Sequence, residues 1–483
     1  MANLRRSLII NFFSSTGSTL MKFIVSVILA RILSPGEIGV FSMTVVFVNI
    51  AHIFRDFGVG TYLQREKDLT TDKMRSAIGV AFTSSWLIAL LLFAASGAIG
   101  AWFKEPQMVP VMRVLALGFM VIPFGAITSS LLTREFAAEK QAWVNMAGTT
   151  SYCASCLVMG MMGFGSMALA WGNLINIVVC ALVYIPLRPA GVPWLPAFRH
   201  WRSVVHFGIG SLVSNCAVAI ENAIPDVLLG KLGSAHMVGL FSRANSTVTI
   251  FTHIAGSTVS YGAVAYLAKA HHAGESLKPT LVRATAMLTG VGWTALALTA
   301  VLGRDIVLAL YGPTWLESVS AILPLTMAAA IIMLFHYTPM ALTAIGRPYL
   351  GAVPVAVTIL TRIGFGYALF DHTLAMFAWA IFFATISAAP VMAYQQHRYF
   401  GLDIFSNMRA LWPSACATGV CAGAAVLLNL AIPQTLPALT RLLMMALPLA
   451  GAWYLGLRLS NHALLGEVHQ VWAGLRARIG RPA

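Results

Sequence analysis

The amino-acid sequence predicts an all-α polytopic membrane protein with about 14 transmembrane helices, arranged as two pseudo-symmetric six-helix lobes plus two C-terminal helices. Three observations support this prediction: the composition, the number of long apolar runs and an internal repeat. Of the 483 residues, 58% are apolar and 10% carry a formal charge, whereas a soluble domain contains roughly 25% charged residues. So few charged side chains could not keep the apolar ones in water, which excludes an ordinary soluble protein.

Apolar runs long enough to cross a bilayer follow one another along the whole chain. A transmembrane helix needs about 20 predominantly apolar residues, and short charged or Pro- and Gly-containing stretches separate fourteen such runs. The predicted spans are residues 7–33, 38–61, 77–103, 108–132, 142–162, 166–187, 203–229, 236–262, 280–302, 318–345, 348–370, 373–397, 409–431 and 437–460. No connection exceeds about 20 residues, which leaves no room for a soluble catalytic domain.

The basic residues determine the predicted orientation. With both termini in the cytoplasm, 21 of the 31 Lys and Arg residues lie on the cytoplasmic side, six on the opposite side and four within the membrane. Cytoplasmic connections of membrane proteins carry such an excess of Lys and Arg, so the surplus of 15 positive charges does not indicate a nucleic-acid partner. The basic tail, residues 461–483, has apolar residues at helical spacing and is predicted to lie on the cytoplasmic membrane surface.

An offset of 200 residues aligns the end of the first predicted helix with the end of the seventh. Six positions are identical, since Val27, Leu29, Ser34, Gly39, Phe41 and Ser42 recur as Val227, Leu229, Ser234, Gly239, Phe241 and Ser242. Both copies cross the membrane in the same direction, as in transporters built from parallel repeats. The repeat predicts lobes over residues 1–200 and 201–400, followed by helices 13 and 14 over 401–460. Such transporters bind substrate near the bilayer midplane between their repeats.

Polar residues recur at helical spacing on the helices that carry this repeat. Five of these residues are candidate substrate-binding groups: Asn11 and Ser18 on the first helix, Asn49 on the second, and Asn215 and Asn222 on the seventh. Polar stripes in lipid must face protein or water. They therefore predict either a polar transport cavity or close packing of helix against helix.

Ionisable residues inside the predicted spans are the strongest functional signal. Four are basic: Lys22, Arg55, Arg243 and Arg362. Three are acidic and are candidate ion-coupling groups for protons or Na⁺: Asp56, Glu221 and Asp226. Each buried base costs about 2.5–3.5 kcal/mol on insertion scales, so something must compensate for it. The compensation is either a structural ion-pair network or a cationic cavity for an anionic substrate, since Arg and Lys both bind phosphate.

Other motifs give weak or negative signals. The Gly-Lys at Gly230 lacks Walker A spacing, which argues against an ATP-driven pump on this chain. Cys153 and Cys156 form a C-x-x-C inside an apolar helix, where packing is their expected role. We find no paired-carboxylate, triad or acid-rich loop arrangement in the sequence that points to an active site. We therefore expect no catalytic residue, no metal site and no cofactor, and a transporter rather than an enzyme.

Several motifs occur in order along nearly the whole chain. They are Leu29–Gly39, Asp56-Phe57-Gly58-Val59-Gly60, Phe207-Gly208, Asp226, Gly230, Gly239–Ala244, Tyr311-Gly312 with Trp315, and Gly346-Arg347. Together they resemble the polysaccharide-transporter branch of the MATE and oligosaccharide-flippase (MOP) superfamily. Two positions depart from the pattern: Val227 stands where the family often has Arg or Lys, and Phe241 where Tyr is usual.

The resemblance implies a two-lobed fold with alternating access and a flippase activity. Members of this family move oligosaccharides linked to polyprenyl pyrophosphate from the inner to the outer leaflet of the bacterial inner membrane, for lipopolysaccharide, capsule or exopolysaccharide biosynthesis. In related flippases, bases on helices 1, 2 and 8 line the cavity, and Lys22, Arg55 and Arg243 fall on those helices here. The implied partners are the lipid-linked glycan, membrane lipid, and polymerases and glycosyltransferases of the same pathway.

Two other functions remain open on the sequence alone. A MATE-type exporter of cationic drugs belongs to the same superfamily but needs a dominant acidic site, whereas the spans here contain four bases and three acids. A membrane glycosyltransferase or polymerase would carry acidic residues in long outer loops. The predicted outer connections are short and contain single acids only.

Overall fold

The computed structural model describes residues 2–56, 58–66, 68–135, 137–193, 195–199, 201–260 and 263–467. Within these residues the chain forms 17 α-helices and two short 3₁₀-helices. The predicted all-α polytopic fold is confirmed. The predicted position of the basic tail, residues 461–483, concerns mostly residues outside the described ranges, which end at residue 467.

The helices follow one another with short connections. The first nine are α1 Ala2–Ile32, α2 Pro35–Asp56, α3 Val59–Arg65, α4 Thr71–Phe103, α5 Met108–Arg134, α6 Ala138–Met161, α7 Ser166–Tyr184, α8 Trp201–Leu232 and α9 Ala235–Ser260. The others are α10 Ala263–His272, α11 Lys278–Leu310, α12 Val319–Leu334, α13 Thr338–Ala344, α14 Ala352–Leu369, α15 Leu374–Phe400, α16 Ile404–Ala431 and α17 Ala438–Leu459. The 3₁₀-helices are Pro313–Ser318 and Pro348–Gly351.

All fourteen predicted spans coincide with helices, and eleven helical segments of the described chain are long and apolar enough to cross a membrane. Two predicted spans are not single helices. The second, 38–61, crosses from α2, which ends at Asp56, to α3, which begins at Val59 after Gly58 in the left-handed conformation. The tenth is divided because α12 and α13 are separated by residues 335–337. Pro339 lies in the first turn of α13, and proline has no N–H to continue a helix from the preceding turn.

The chain divides into two compact units, Met1–Gly239 and Leu240–Ala483. In unit 1, α4 packs on α5, α7 packs on both α5 and α6, α1 packs on α6, and α2 packs on α8. In unit 2, α11 packs on α12 and α16, α15 packs on α12 and α14, and α16 packs on α17. Buried apolar side chains fill these contacts. Examples are Met112 and Phe119 in unit 1 and Phe377 in unit 2.

The two copies of the sequence repeat have the same local structure. α1 ends at Ile32 and α8 ends at Leu232, and the next helix begins three residues later in both copies. A serine caps each new helix: the backbone N–H of Glu37 donates to Ser34 Oγ at 3.4 Å, and that of Met237 donates to Ser234 Oγ at 3.3 Å. The first N–H groups of a helix have no partner within the helix, and a serine side chain can accept a hydrogen bond from one of them. Capping therefore explains why serine occurs at the same position in both copies of the repeat.

One end of unit 1 carries a concentration of basic residues, and we term it the basic face. It comprises the described residues of the ranges 58–75, 134–140 and 185–202, whose described side chains include seven Lys and Arg and five Asp and Glu. Several of these bases hold the connections together. Arg134 donates to the carbonyl oxygens of Leu63 at 2.7 Å and Glu66 at 2.6 Å, and Arg75 donates to that of Leu195 at 3.2 Å.

Unit 2 contains a buried ion pair that joins α11 to α17. Arg441 and Asp305 are only 5% and 4% exposed, and Arg441 Nη1 donates to Asp305 Oδ1 at 2.7 Å. Arg441 Nη2 also donates to Asn429 Oδ1 at 2.6 Å, which adds α16 to the same contact. Arg441 is one of the six Lys and Arg residues predicted on the outer side, and Asp305 is one of the single acids predicted in the outer connections. The structure pairs them inside the helix packing.

His462 fixes the chain after α17 to α11 and α16. Its ring is 3% exposed, with Nε2 2.9 Å from Ser414 Oγ, and its Nδ1 accepts a hydrogen bond from the N–H of Leu464 at 3.0 Å. Thr289 of α11 donates to the same Ser414 oxygen at 3.0 Å. Because Nδ1 is an acceptor, the neutral ring carries its proton on Nε2 and donates to Ser414.

Candidate functional site

A cavity of about 530 Å³ lies between α2 and α8 in unit 1. Its polar lining residues are Ser42 and Asn49 of α2 and Asn222 and Asp226 of α8. The remaining lining is apolar. We refer to this space as the α2/α8 cavity. Its size falls within the range of ligand-binding sites, which combine an apolar wall with a few polar groups that orient the ligand.

Helical spacing brings the polar groups of each helix onto one side. On α2, Ser42 and Asn49 are seven residues apart, which is about two helical turns. On α8, Asn222 and Asp226 are four residues apart and so lie on one face. Both asparagines are exposed, and Asp226 is half-buried. These side chains are therefore accessible from the cavity to a hydrogen-bonding ligand.

Three predicted site residues lie together in the lining of the α2/α8 cavity. Two of them were predicted from the polar stripes and one as an intramembrane acid. Asn49, Asn222 and Asp226 all line this cavity. Ser42 was not among the predicted site residues, although Ser42 and Ser242 occupy equivalent positions of the repeat. The equivalence of these two serines was the sequence signal that could have identified Ser42 as a site residue. Among the residues that line the α2/α8 cavity, Asp226 is the one with a formal charge.

Arg55 lines a different space in unit 1. This second cavity has a volume of about 330 Å³, and its lining comes from α2, α3, α4, α5 and α7. We refer to it as the Arg55 cavity. The prediction groups Arg55 with Lys22, Arg243 and Arg362 as substrate-binding bases. In the described part of unit 1, Arg55 lines one cavity and Asp226 lines the other.

Lys22 is an exposed residue of α1, and its Nζ lies 5.9 Å from the centre of the Tyr152 ring on α6. The packing of α1 on α6 places it there. Lys22 is also an electrostatic neighbour of Cys180, which lines the Arg55 cavity. Ammonium groups are attracted to aromatic faces, so Tyr152 compensates part of the cost of a lysine in this span.

Arg243 is 9% exposed and lies against two aromatic rings of unit 2. Its guanidinium carbon is 5.6 Å from the centre of the Tyr311 ring and 5.7 Å from that of Trp315. Both aromatic residues are fully buried, and Thr247 Oγ1 lies within hydrogen-bonding distance of the Tyr311 hydroxyl at 3.4 Å. Desolvated contacts of this kind stabilise a buried guanidinium. Tyr311 and Trp315 are residues of the family motifs, but their contact with Arg243 was not predicted from the sequence.

The other predicted site residues are spread over both units. Ser18 on α1, Glu221 on α8 and Arg362 on α14 are half-buried, and neither cavity includes them in its lining. The remaining three belong to α1, α2 and α8, but their side chains lie outside the described part of the protein: Asn11, Asp56 and Asn215.

Metal binding has no support among the described side chains. In that part of the chain, no three or more His, Cys, Asp and Glu residues group together as metal ligands. Cys153 and Cys156 are both buried within α6, and Cys156 Sγ lies 3.7 Å from the carbonyl oxygen of Ala168 on α7. Their contacts are those of helix packing.

Residues 28–320, more than half of the chain, match the protein family described as polysaccharide biosynthesis protein. Similar curated proteins include the succinoglycan biosynthesis transport protein ExoT of Rhizobium meliloti (strain 1021), 24% identical over 51% of this chain and 50% of its own length. The teichuronic acid biosynthesis protein TuaB of Bacillus subtilis (strain 168) is 22% identical over 62% of each chain. The lipopolysaccharide biosynthesis protein WzxC of Escherichia coli (strain K12) is 20% identical over 49% of this chain. The alignments thus span between 44% and 62% of the relatives' lengths.

Solved structures with the same fold are also transport proteins. The lipid II flippase MurJ in an inward closed conformation matches with a TM-score of 0.74, at 12% identity, over 93% of this chain and 99% of its own. An inward-facing multidrug resistance MATE family transporter of the MOP superfamily matches with a TM-score of 0.62, at 15% identity, over 81% of this chain and 96% of its own. At these identities the likeness establishes the fold.

Proposed function

This chain belongs to the polysaccharide biosynthesis protein family, and from that membership we propose that it is a flippase for a lipid-linked oligosaccharide. It would carry a glycan attached to polyprenyl pyrophosphate from the inner to the outer leaflet, for lipopolysaccharide, capsule or exopolysaccharide biosynthesis. The names of its relatives support this proposal, since they concern succinoglycan, teichuronic acid and lipopolysaccharide.

The observation that carries the proposal is the α2/α8 cavity. Amide and hydroxyl groups of Asn49, Asn222 and Ser42 can both donate to and accept from sugar hydroxyls. The intramembrane bases would hold the pyrophosphate, because charge-assisted hydrogen bonds to phosphate are strong. The proposed set is Lys22, Arg55, Arg243 and Arg362.

The transport cycle that we propose is alternating access coupled to an ion gradient. Asp226 lines the α2/α8 cavity and is the first candidate for binding the coupling proton or Na⁺. Asp56 and Glu221 are the other two. We propose that the chain lies in the inner membrane of a bacterium in the orientation predicted from its Lys and Arg residues. The basic face and both chain termini then lie on the cytoplasmic side. The protein acts as a transporter and not as an enzyme, and glycosyltransferases and a polymerase are its expected partners.

One observation favours a second candidate function, a MATE-type antiporter of organic cations. Asp226 gives the α2/α8 cavity an acidic charge, and a carboxylate facing an apolar wall suits a lipophilic cation. The fold of the MATE family transporter described above is compatible with either function.

Reconstitution of the purified chain into proteoliposomes distinguishes the two functions. In one arm the vesicles contain an oligosaccharide linked to polyprenyl pyrophosphate, and a membrane-impermeant glycosidase outside measures how fast inner-leaflet glycan becomes accessible. In the other arm the same vesicles are loaded with ethidium, and its efflux is measured under proton and Na⁺ gradients. Asn222→Leu, which removes a sugar-binding amide, serves as the site variant in both arms.

We expect protein-dependent exposure of the glycan, slowed at least tenfold by Asn222→Leu, and no protein-dependent ethidium efflux. Ethidium efflux without glycan movement would replace the flippase with the antiporter. Absence of both activities, with the protein folded in the vesicles, would contradict both proposals.

A further inference from the structure

The connection between α7 and α8 exposes large apolar side chains at the basic face. It comprises residues 185–200, and we term it the α7/α8 connection. Leu195 is 69% exposed and Phe198 is 56% exposed, and Trp201, the first residue of α8, is 45% exposed. Single exposed apolar residues are common in folded proteins, whereas a group of them marks an interaction surface. Three such side chains within seven residues of the chain therefore indicate an interaction surface.

Hydrogen bonds fix the backbone of the α7/α8 connection to α4. The backbone N–H of Ala197 donates to the carbonyl oxygen of Arg75 at 3.0 Å, and Arg75 Nε donates to the carbonyl oxygen of Leu195 at 3.2 Å. Within the connection, Arg188 Nη2 donates to the carbonyl oxygen of Pro193. These bonds pair backbone groups that a loose loop would leave to water, so the exposed apolar side chains are held at one place on the surface of unit 1.

The opposite side of the α7/α8 connection is packed against unit 1. Val192 packs against the apolar core cluster that includes Ile78 of α4. A Cβ on Gly79 would lie 2.5 Å from the carbonyl oxygen of Ala197 and 3.1 Å from the ring of Phe198, so glycine lets the connection lie directly on α4. The connection thus has one apolar side chain in the core and others exposed, whereas a loop in water carries mostly polar residues on its outer side.

The contact with Gly79 places the α7/α8 connection where α4 enters the membrane. α4 is long and apolar enough to cross a bilayer, and its span is predicted to begin at residue 77. Gly79 follows the first residue of α4, Thr71, by eight positions, or about 12 Å along the helix. α7, which precedes the connection, is also a candidate span and ends at Tyr184. Aromatic side chains are enriched where spans meet the headgroup region, which is the level of Phe198.

The charged residues of this segment are all basic. Residues 185–202 contain Arg188, Arg199 and Arg202 and no Asp or Glu. The side chain of Arg199 is 79% exposed, and the exposed Arg202 has its guanidinium carbon 5.8 Å from the centre of the Trp201 ring. Asp72 Oδ2 of α4 lies 3.7 Å from Arg199 Nη1 and offsets one of the charges. Exposed apolar side chains next to basic ones suit a bilayer surface that contains anionic lipid.

We propose that the α7/α8 connection is a membrane anchor. Leu195, Phe198 and Trp201 enter the interface of the adjacent bilayer leaflet, and Arg199 and Arg202 contact the headgroups of anionic phospholipids. The contact with the start of the α4 span and the basic charge favour a lipid surface over a protein partner. The inference goes beyond the proposed function, because the connection adds no residue to the lining of the α2/α8 cavity and would bind lipid whatever the protein transports.

Fluorescence quenching of Trp201 tests the anchor. The purified full-length chain is reconstituted into vesicles of phosphatidylcholine, with and without phosphatidylglycerol, whose acyl chains carry bromine near the headgroup. Bromine quenches tryptophan at short range, and aqueous iodide quenches water-exposed tryptophan in a parallel series. The chain has 12 Trp residues, so the signal of Trp201 is the difference between the parent chain and Trp201→Phe. The corresponding difference for Trp315→Phe gives the control signal of a fully buried tryptophan.

We expect brominated lipid to remove more than half of the Trp201 signal and iodide to remove little of it, with the Trp315 signal unchanged in both series. Phosphatidylglycerol should increase the quenching of Trp201 by brominated lipid, because it draws the two arginines to the surface. The double variant Arg199→Gln with Arg202→Gln should lose that increase. Lys140→Gln, which removes an exposed base elsewhere on the basic face, should keep it.

Quenching of Trp201 by iodide but not by brominated lipid would overturn the anchor, and so would shielding of Trp201 from both quenchers. An increase with phosphatidylglycerol that the double variant retains in full would exclude Arg199 and Arg202 as the lipid contacts. These readouts do not depend on glycan movement, so the proposed function is tested separately.

Discussion

Gly39 and Gly239 make a reciprocal contact between the two copies of the repeat. A Cβ on Gly39 would lie 1.7 Å from the carbonyl oxygen of Ala235, and one on Gly239 would lie 1.8 Å from that of Pro35. Gly39 thus faces the residue four positions before Gly239, and Gly239 faces the residue four positions before Gly39. The offset of 200 residues therefore produces a local two-fold arrangement of α2 and the first turn of α9, with backbones too close for any side chain.

Replacing Gly39 with Ala should destabilise the protein. The new methyl group meets a backbone oxygen, so the two helices must separate, at a cost of about 1–3 kcal/mol. Gly36→Ala is the matched control, because a Cβ on Gly36 has no atom within 4 Å and alanine favours the helix. We expect a lower temperature of thermal unfolding for Gly39→Ala and an equal or higher one for Gly36→Ala. Equal unfolding temperatures for both variants would contradict the close contact.

The helices and the repeat could be predicted because they depend on local sequence. Apolar runs of the required length determine the spans, and the Ser34 and Ser234 caps recur at the predicted offset. The resemblance to polysaccharide transporters, carried by short motifs, is confirmed by the family match over residues 28–320. The breaks after α2 and after α12 were not predicted, although Gly58 and Pro339 provided signals for them.

The surroundings of the charged residues could not be predicted, because they depend on packing between distant helices. Arg243 lies against Tyr311 and Trp315, about 70 residues further along the chain. Arg441 pairs with Asp305, which is 136 residues away. Helical spacing shows which residues share a face of one helix, but not which helix covers that face. The roles of the predicted site residues therefore stay predictions.

Asp226 should control ion coupling more strongly than Glu221. Asp226→Asn keeps the shape of the side chain but removes the charge from the lining of the α2/α8 cavity, so we expect it to abolish any dependence of transport on a proton or Na⁺ gradient. Glu221→Gln changes a residue outside that lining and should retain most of the dependence. Initial rates in proteoliposomes with and without imposed gradients measure both. Full gradient dependence in Asp226→Asn would exclude Asp226 as the coupling residue.

Replacing Arg243 with Ala should lower both stability and transport. The variant loses contacts with two buried rings, each worth about 0.5–2 kcal/mol, and leaves a space between α9 and the residues after α11. Arg243→Lys keeps the charge but loses the planar contact, so we expect intermediate values for both. Unfolding temperature and glycan exposure are measured on the same preparations, with the exposed Arg304→Ala as control. Unchanged stability in Arg243→Ala would show that the rings do not hold α9 in place.

Breaking the buried ion pair from one side should be more damaging than removing it entirely. Asp305→Ala leaves the Arg441 guanidinium buried without its carboxylate, which typically costs about 3–5 kcal/mol. The double variant Asp305→Ala with Arg441→Leu removes both charges and should recover part of that loss. Thermal unfolding of the two single variants and the double variant gives the coupling between the residues. Additive losses would mean that the 2.7 Å contact contributes no coupling energy.

Acidification should release the chain after α17, because His462 is held in its neutral form. Burial lowers the pKa of the His462 imidazole below its ordinary value of 6.5. The unfolded segment therefore binds a proton more readily than the folded one, so the stabilisation by His462 is complete above about pH 6.5 and falls as the pH drops below it. A proton on Nδ1 would also face the N–H of Leu464 and break that hydrogen bond.

Hydrogen exchange at Leu464 and Leu465 between pH 7.5 and 5.5 measures this release. After correction for the intrinsic pH dependence of exchange, we expect protection of these amides to decrease in the acid range. His462→Gln should remove the pH dependence, because its amide group does not titrate in this range. His397→Gln is the control, since His397 is exposed and lies 2.8 Å from Asp403 at the surface. Protection that stays constant across this range would mean that the segment is held by its apolar contacts and not by the His462 hydrogen bonds.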